Sequence, residues 1–171
     1  MSIANKHVAI LAEDNYQELE LHYPHLRLIE AGARVSVLGA GEKTYHSSRG
    51  YPVTVDADAS DVTADDFDAV IIPGGMAPDR MRQHKSMVGL VRDAAAAGKP
   101  VAWICHGGWV AVSADILRGK KATSFKSIAD DMKNAGASWV DEEVVVDGNL
   151  ISSRTPADLP AFCKAIIDAL S

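Results

Sequence analysis

Short apolar runs recur along the sequence, at residues 8–12 (VAILA), 35–38 (VSVL), 68–72 (DAVII) and 100–104 (PVAWI). A strand that is apolar at nearly every position has no polar face, so it must be covered on both sides. Between the runs lie stretches with helical spacing. One spans 17–31 and is closed by Gly32; another spans 84–97 and is closed by Gly98. A further helix is expected after the last run, to about residue 117, and one more over 157–170. Residues 144–146 and 150–152 flank Asp147-Gly148-Asn149, which reads as a hairpin. Apolar strands separated by helices predict a parallel sheet with helices on both faces, a doubly wound α/β sandwich. Sites in such sheets form beyond the carboxyl ends of the strands. That rule singles out residues 13–20, 73–79 and 105–106. The polar stretch 56–66 reads as a surface connection.

Length and charge narrow the function. The 171 residues, at about 150 per domain, predict a single domain over 1–171. With 17 basic and 23 acidic residues the net charge is −6, which lacks the footprint of a nucleic-acid binder and disfavours an anionic membrane surface. The run at 8–12 is too short for a signal sequence, and no stretch approaches the roughly 20 apolar residues of a membrane span. The two cysteines, Cys105 and Cys163, offer neither a disulfide framework nor a CxxC motif, so a reducing, cytoplasmic location is expected. No phosphate-cradling glycine motif is present, and no cofactor is expected.

The sharpest chemical feature is Ala102-Trp103-Ile104-Cys105-His106-Gly107-Gly108. A strand runs into a cysteine, and small residues follow where a helix should begin, as in a nucleophile elbow. Gly107 and Gly108 leave room for a substrate. The helix N-terminus is expected to favour the thiolate. On local sequence alone, a buried structural thiol is the competing reading. Pro73-Gly74-Gly75, after another buried strand, can turn backbone amides toward an oxyanion, or simply make a tight turn. In Tyr16-Gln17-Glu18-Leu19-Glu20-Leu21 two carboxylates open a helix, about 200° apart around its axis, so they face different ways. Pro24 within the same pattern should kink that helix. Trp103 is expected in the core, Cys163 in the core or half-exposed, and Trp109 either at the pocket or at an oligomer contact. His22 and His25, with Glu18, share a helix face. A solvated or interface face is the expectation there, and no metal is predicted.

Four segments carry a resemblance: YQELELHYPHLRLIEAGARV (16–35), VIIPGGMAPDRMR (70–82), VAWICHGGWVAVSADILRGKKATS (101–124) and GASWVDEEVVVDGNLISSRTPADLPAF (136–162). Together, in order, they resemble the PfpI-type intracellular protease and general stress protein family, in the superfamily of the parkinsonism-associated deglycase. The resemblance implies a three-layer α/β sandwich with a mostly parallel, flavodoxin-like sheet. It implies Cys105 as the reactive thiol, His106 as general base or acid, and Glu20 as the carboxyl bonded to the sulfur. Gly75 and the His106 amide would supply oxyanion contacts, with Gly74 shaping the loop and Gly107, Trp109 and Phe125 around the substrate. Asp79 matches the acidic residue that orients the histidine from a neighbouring subunit, but with a side chain one methylene shorter than the usual Glu. Phe125 stands where relatives often carry Tyr, and Thr155 where several carry His. The implied chemistry is hydrolase-type action on small reactive carbonyls or their protein adducts, of the deglycase or glyoxalase III kind. Alternatives are a cysteine peptidase active as an oligomer and a redox-sensitive stress protein. The implied partners are a small carbonyl or peptide substrate and copies of the chain itself, as a homodimer or a hexamer.

Overall fold

The structure is a computed structural model and describes residues 3–171. In chain order, β1 (His7–Leu11) leads to α1 (Glu18–Glu30) and β2 (Arg34–Gly39). A small excursion, β3 (Thr44–His46) with β4 (Pro52–Thr54), precedes β5 (Ala57–Asp58) and β6 (Ala69–Ile72). Next come α2 (Ala77–Met81), α3 (Lys85–Ala96), β7 (Val101–Ile104) and α4 (Gly108–Ser113). The chain closes through β8 (Lys121–Ala122), α5 (Ala129–Asn134), β9 (Ser138–Trp139), β10 (Val144–Asp147), β11 (Leu150–Ser153) and α6 (Leu159–Leu170).

The main sheet has the order β10-β11-β7-β6-β1-β2-β5, and only the β10–β11 pair is antiparallel. Helices α1 and α6 pack together over β2 and β11, while α3 and α4 contact β6 and β7 from the other face. This is the three-layer α/β sandwich expected from the apolar runs. Every residue of β6 and β7 is buried, which follows from strands covered on both faces. The order reverses between β1 and β6, and β1, β6 and β7 lie side by side. Their carboxyl ends therefore bring residues 12–20, 73–79 and 105–108 to one edge of the sheet.

The local stops are of the expected type. Gly32 (φ 101°) follows α1, with the Ala33 amide donating to the Leu28 carbonyl, and Gly98 (φ 74°) does the same after α3. The hairpin forms, with Asp147 opposite Leu150. Two expectations need correction. Residues 56–66 are more than a connection, since Ala57–Asp58 adds an edge strand to β2. The Asp56 carboxylate and amide hold that strand by bonding the Val37 amide and carbonyl. The helix after the elbow ends at Ser113, not near 117, and Asp115 (φ 56°) turns the chain away; aspartate tolerates that left-handed conformation. Helix α1, of 13 residues, contains Pro24. No helix among the described residues is long and apolar enough to cross a membrane.

Candidate active site

Strand β7 delivers Cys105 at φ 60°. A non-glycine residue in that region stores strain of about 1–3 kcal/mol, so surrounding contacts must hold it. Gly107 allows the turn, because a Cβ there would lie 2.6 Å from the Ile72 carbonyl oxygen. Gly108 likewise packs against Met132. The Phe125 amide donates to the Cys105 carbonyl at 3.1 Å and ties the next loop to the elbow. Cys105 is only 7% exposed. It is a buried thiol, as one sequence reading allowed, but one at a strained strand end.

Glu20 reaches this point from α1. Gln17 caps the helix by accepting the Glu20 amide at 3.0 Å, and the Gln17 amide donates to the Gly74 carbonyl. Glu20 is fully buried, while Glu18 turns away to accept from Ser47 Oγ and the Arg49 amide. The two carboxylates face different ways, as their spacing requires. The Gly74 amide donates to Glu20 Oε2 at 2.8 Å. A Cβ on Gly74 would clash with that oxygen and lie 2.7 Å from Cys105 Cβ, so only glycine lets strand end, carboxyl and thiol converge. Gly75 takes φ 78°, and a side chain there would meet the backbone of Asn15 and Gln17 at 2.5 and 2.6 Å.

Burial pushes the Glu20 carboxyl up to about 7, against the Gly74 amide and the Cys105 thiol, which pull it down. The Cys105 thiol is pushed up to about 12, first by burial and then by the Glu20 carboxylate; the His106 and Gly75 amides pull the other way. A 3-10 turn, Cys105–Gly107, separates the thiol from the six-residue α4, and burial beside a carboxyl opposes the thiolate that a helix N-terminus favours. Two anions cannot share the site, so a thiolate at Cys105 requires Glu20 to hold its proton and offer it to the sulfur.

His106 Nδ1 lies 3.3 Å from Cys105 Sγ and its Nε2 3.2 Å from Ser127 Oγ. Phe125 stacks on the ring at 4.9 Å, and Trp109 meets it edge-on at 5.0 Å. Trp109 is itself held by Asp131 and faced by Arg82. Burial lowers the His106 pKa, so the ring is neutral near pH 7 and able to accept a proton. The fold thus brings together Cys105, His106, Glu20, Gly74, Gly75, Gly107, Trp109 and Phe125. Asp79 is not among them. It is exposed on α2 and makes no contact with His106 within this chain. Thr155 lines a small cavity of about 280 Å³ with Phe125 and Arg154. Cys163 is buried in α6 and Trp103 in the core, the latter bonded to the Thr123 carbonyl. His22 bonds the Tyr16 hydroxyl and packs on Tyr51. Among the described residues no three His, Cys, Asp or Glu side chains are grouped to hold a metal. Sequence reasoning missed Gln17 and Ser127. The segment Ser124-Phe125-Lys126-Ser127 carries no pattern that marks its last hydroxyl.

A buried, protonatable carboxyl has a consequence for stability. Glu20 holds its proton more tightly folded than unfolded, where its pKa is 4.5. Its contribution is complete below pH 4.5 and is lost as pH rises through about 7. Relative to Glu20→Gln, the native protein should lose about 3 kcal/mol across that window. Urea unfolding at pH 4.5 and pH 8 measures it. Parallel curves for the two proteins would mean that Glu20 ionises freely.

These elements define a class: a doubly wound α/β protein with a cysteine at a strained strand end, backed by a buried carboxyl. The DJ-1/PfpI family model matches residues 6–169, and the chain belongs to the DJ-1/PfpI family. It is similar to a deglycase of Pyrococcus abyssi, 45% identical over 163 residues that cover 95% of this chain and 98% of the relative. It is also similar to general stress protein 18 of Bacillus subtilis, 41% identical over 160 residues, 92% of this chain and 93% of that one. A crystal structure from Anabaena variabilis, a two-domain protein with DJ-1/ThiJ/PfpI-like and ferritin-like domains, superposes with a TM-score of 0.94 at 47% identity. That match covers 97% of this chain and 48% of the Anabaena chain.

Proposed function

We propose that the protein is a cysteine-dependent hydrolase for small reactive carbonyls or their early protein adducts, of the deglycase or glyoxalase III kind. The observation that carries this reading is Cys105 at φ 60°, in one site with the buried Glu20 carboxyl and neutral His106. The Cys105 thiolate adds to the aldehyde carbon of a dicarbonyl such as methylglyoxal, and the carbonyl π pair moves to oxygen. The His106 and Gly75 amides meet that oxygen as charge develops. Glu20 keeps its proton, bonds the sulfur and neutralises the site. His106 removes the proton from the former aldehyde carbon and returns it to the neighbouring one, so the adduct isomerises to a thioester. Water cleaves the thioester to lactate and the thiol. The sum is methylglyoxal plus water to lactate, with no external oxidant or reductant.

A small electrophile suits the burial of the thiol. Two cavities, about 710 Å³ beside His7 and Arg34 and about 660 Å³ beside His22 and Tyr51, are not lined by Cys105. A peptide would need a cleft around the thiol, formed by packing against a neighbouring subunit. Anaerobic incubation of reduced protein with methylglyoxal, followed by lactate, tests the reading. Lactate formation is expected, and its absence from well-folded, reduced protein would sink it.

The proposal includes assembly into a homodimer or hexamer in a reducing, intracellular compartment, with Asp79 reaching the site of a neighbouring subunit. Exposure of Asp79 on α2 is consistent with that role. Asp79→Ala should then lower kcat by about tenfold with the assembly intact, by analogy with loss of one orienting group. Full activity in an assembled Asp79→Ala variant would remove Asp79 from the reaction.

A further inference from the structure

Gly108 lets α4 lie close against α5: a Cβ there would be 2.8 Å from Met132 Sδ and 3.3 Å from Ile128 Cδ1. Trp109 is the next residue of α4, and Asp131 precedes Met132 on α5. The Trp109 indole Nε1–H donates to Asp131 Oδ2 at 3.0 Å. The Arg82 guanidinium lies 5.8 Å from the centre of the same ring, and its Nε donates to Ser113 Oγ at 2.9 Å. Held in this way, the indole meets the His106 ring edge-on at 5.0 Å, while Phe125 stacks on that ring at 4.9 Å. Phe125 is tied to the elbow by its own backbone, through its amide on the Cys105 carbonyl. Trp109 depends on a side chain from another helix. We infer that Asp131 is a positioning residue: by accepting the Trp109 indole proton it fixes the indole against His106 and so keeps His106 Nδ1 on the Cys105 sulfur. The inference rests on the reading of Cys105 and His106 as the reacting pair, and it adds the group that holds the aromatic support of that histidine.

His106 is half-buried, and the last torsion of a histidine side chain is soft, with a broad two-fold profile. The contacts of Nδ1 with Cys105 Sγ and of Nε2 with Ser127 Oγ select which edge of the ring faces the sulfur. Its tilt is set by packing, because ring pairs about 4.5–7 Å apart prefer offset-stacked or edge-on arrangements. Tilt matters, since a misplacement of about 1 Å can slow a reaction about a hundredfold. The clamp leaves the Nε2 edge, which faces the exposed Ser127, in one orientation for the Asp79 carboxylate that the proposed assembly brings from a neighbouring subunit. Asp131 acts on Trp109 as an acceptor and not on His106 as an anion, for burial is what lowers the His106 pKa. Asparagine offers the same acceptor oxygen without the charge. Asp131 also stands in the first turn of α5, where its charge complements the helix dipole. Asparagine and alanine lose that charge alike, so the difference between them isolates the bond to Trp109.

The test compares Asp131→Asn, Asp131→Ala, Trp109→Phe and the double variant Asp131→Ala with Trp109→Phe in the full chain. Asp131 is exposed, so its variants should fold. The NMR shifts of the His106 ring protons, which carry the ring currents of Trp109 and Phe125, report the clamp. Alkylation of Cys105 by iodoacetamide at pH 7 reports the reacting pair. Asp131→Asn should leave both at native values. Asp131→Ala should move the His106 shifts away from their native values and slow alkylation about three- to fivefold. Trp109→Phe keeps a ring but has no N–H to be held, so it should slow alkylation by a similar factor. Adding Asp131→Ala to Trp109→Phe should slow it no further. Native His106 shifts in Asp131→Ala, equal slowing in the Asn and Ala variants, or additive slowing in the double variant would overturn the inference. If the expected shifts and rates appear but methylglyoxal gives no lactate, the proposed function fails and the role of Asp131 stands.

Discussion

Replacing Cys105 by serine is expected to lower methylglyoxal turnover by about 10⁴-fold or more, the scale seen when a covalent nucleophile is removed from a machinery that acts as a unit. The substitution is conservative in shape. Serine has a smaller Oγ in place of Sγ and meets the same backbone demand at φ 60°. Its hydroxyl is far less acidic than a thiol, and burial next to Glu20 makes its anion costlier still. Glu20 and His106 remain, so the loss should fall on kcat with little change in melting temperature. Lactate assays paired with a thermal melt separate the two. Turnover within about tenfold of native, at unchanged stability, would show that the elbow cysteine is not the nucleophile.

Gly75→Ala should damage the site from the backbone outward. The residue sits at φ 78°, where an alanine costs about 1 kcal/mol or more. Its Cβ would lie 2.5 Å from the Asn15 carbonyl oxygen and 2.6 Å from the Gln17 nitrogen. Both are main-chain atoms, so no rotamer change relieves the contact. The loop must shift, which strains the bond from the Gln17 amide to the Gly74 carbonyl and that from the Met76 amide to the Asn15 carbonyl. A loss on the order of 3 kcal/mol is expected, read as a lower urea midpoint at unchanged m-value. Because Gln17 also caps α1 and bonds the Glu20 amide, the same shift should displace Glu20 and slow Cys105 alkylation. An unchanged midpoint would mean that the two loops relax independently.

The fold was legible where local pattern is dense. The strands β1, β2, β6 and β7 are built on near-continuous apolar runs, and the helices α1 and α3 end at glycines that adopt positive φ. Elements with little local signal were not readable. Ala57–Asp58 is two residues long and becomes a strand only because Asp56 bonds across to Val37. Helix α2 is five residues and opens with Pro78 in its first turn, too short for any periodicity. The elbow cysteine and its glycines were legible from spacing, because a strand followed by Cys-His-Gly-Gly requires a tight turn.

The sequence by itself determined the layered α/β sandwich, the placement of residues near 13–20, 73–79 and 105–106 at one edge, and the position of Cys105 at a strand end. Those properties depend on periodicities and turn chemistry confined to a few neighbouring residues. Only the tertiary structure decided the protonation of the site and the partners of its histidine. Glu20 bonds a glycine amide 54 positions away, and Ser127 meets a ring 21 positions away. The same long-range packing buries Cys105 and Glu20 together and pushes both pKa values up, against the helix N-terminus. Desolvation depends on everything that surrounds a group in space, and nothing in the adjacent sequence records it.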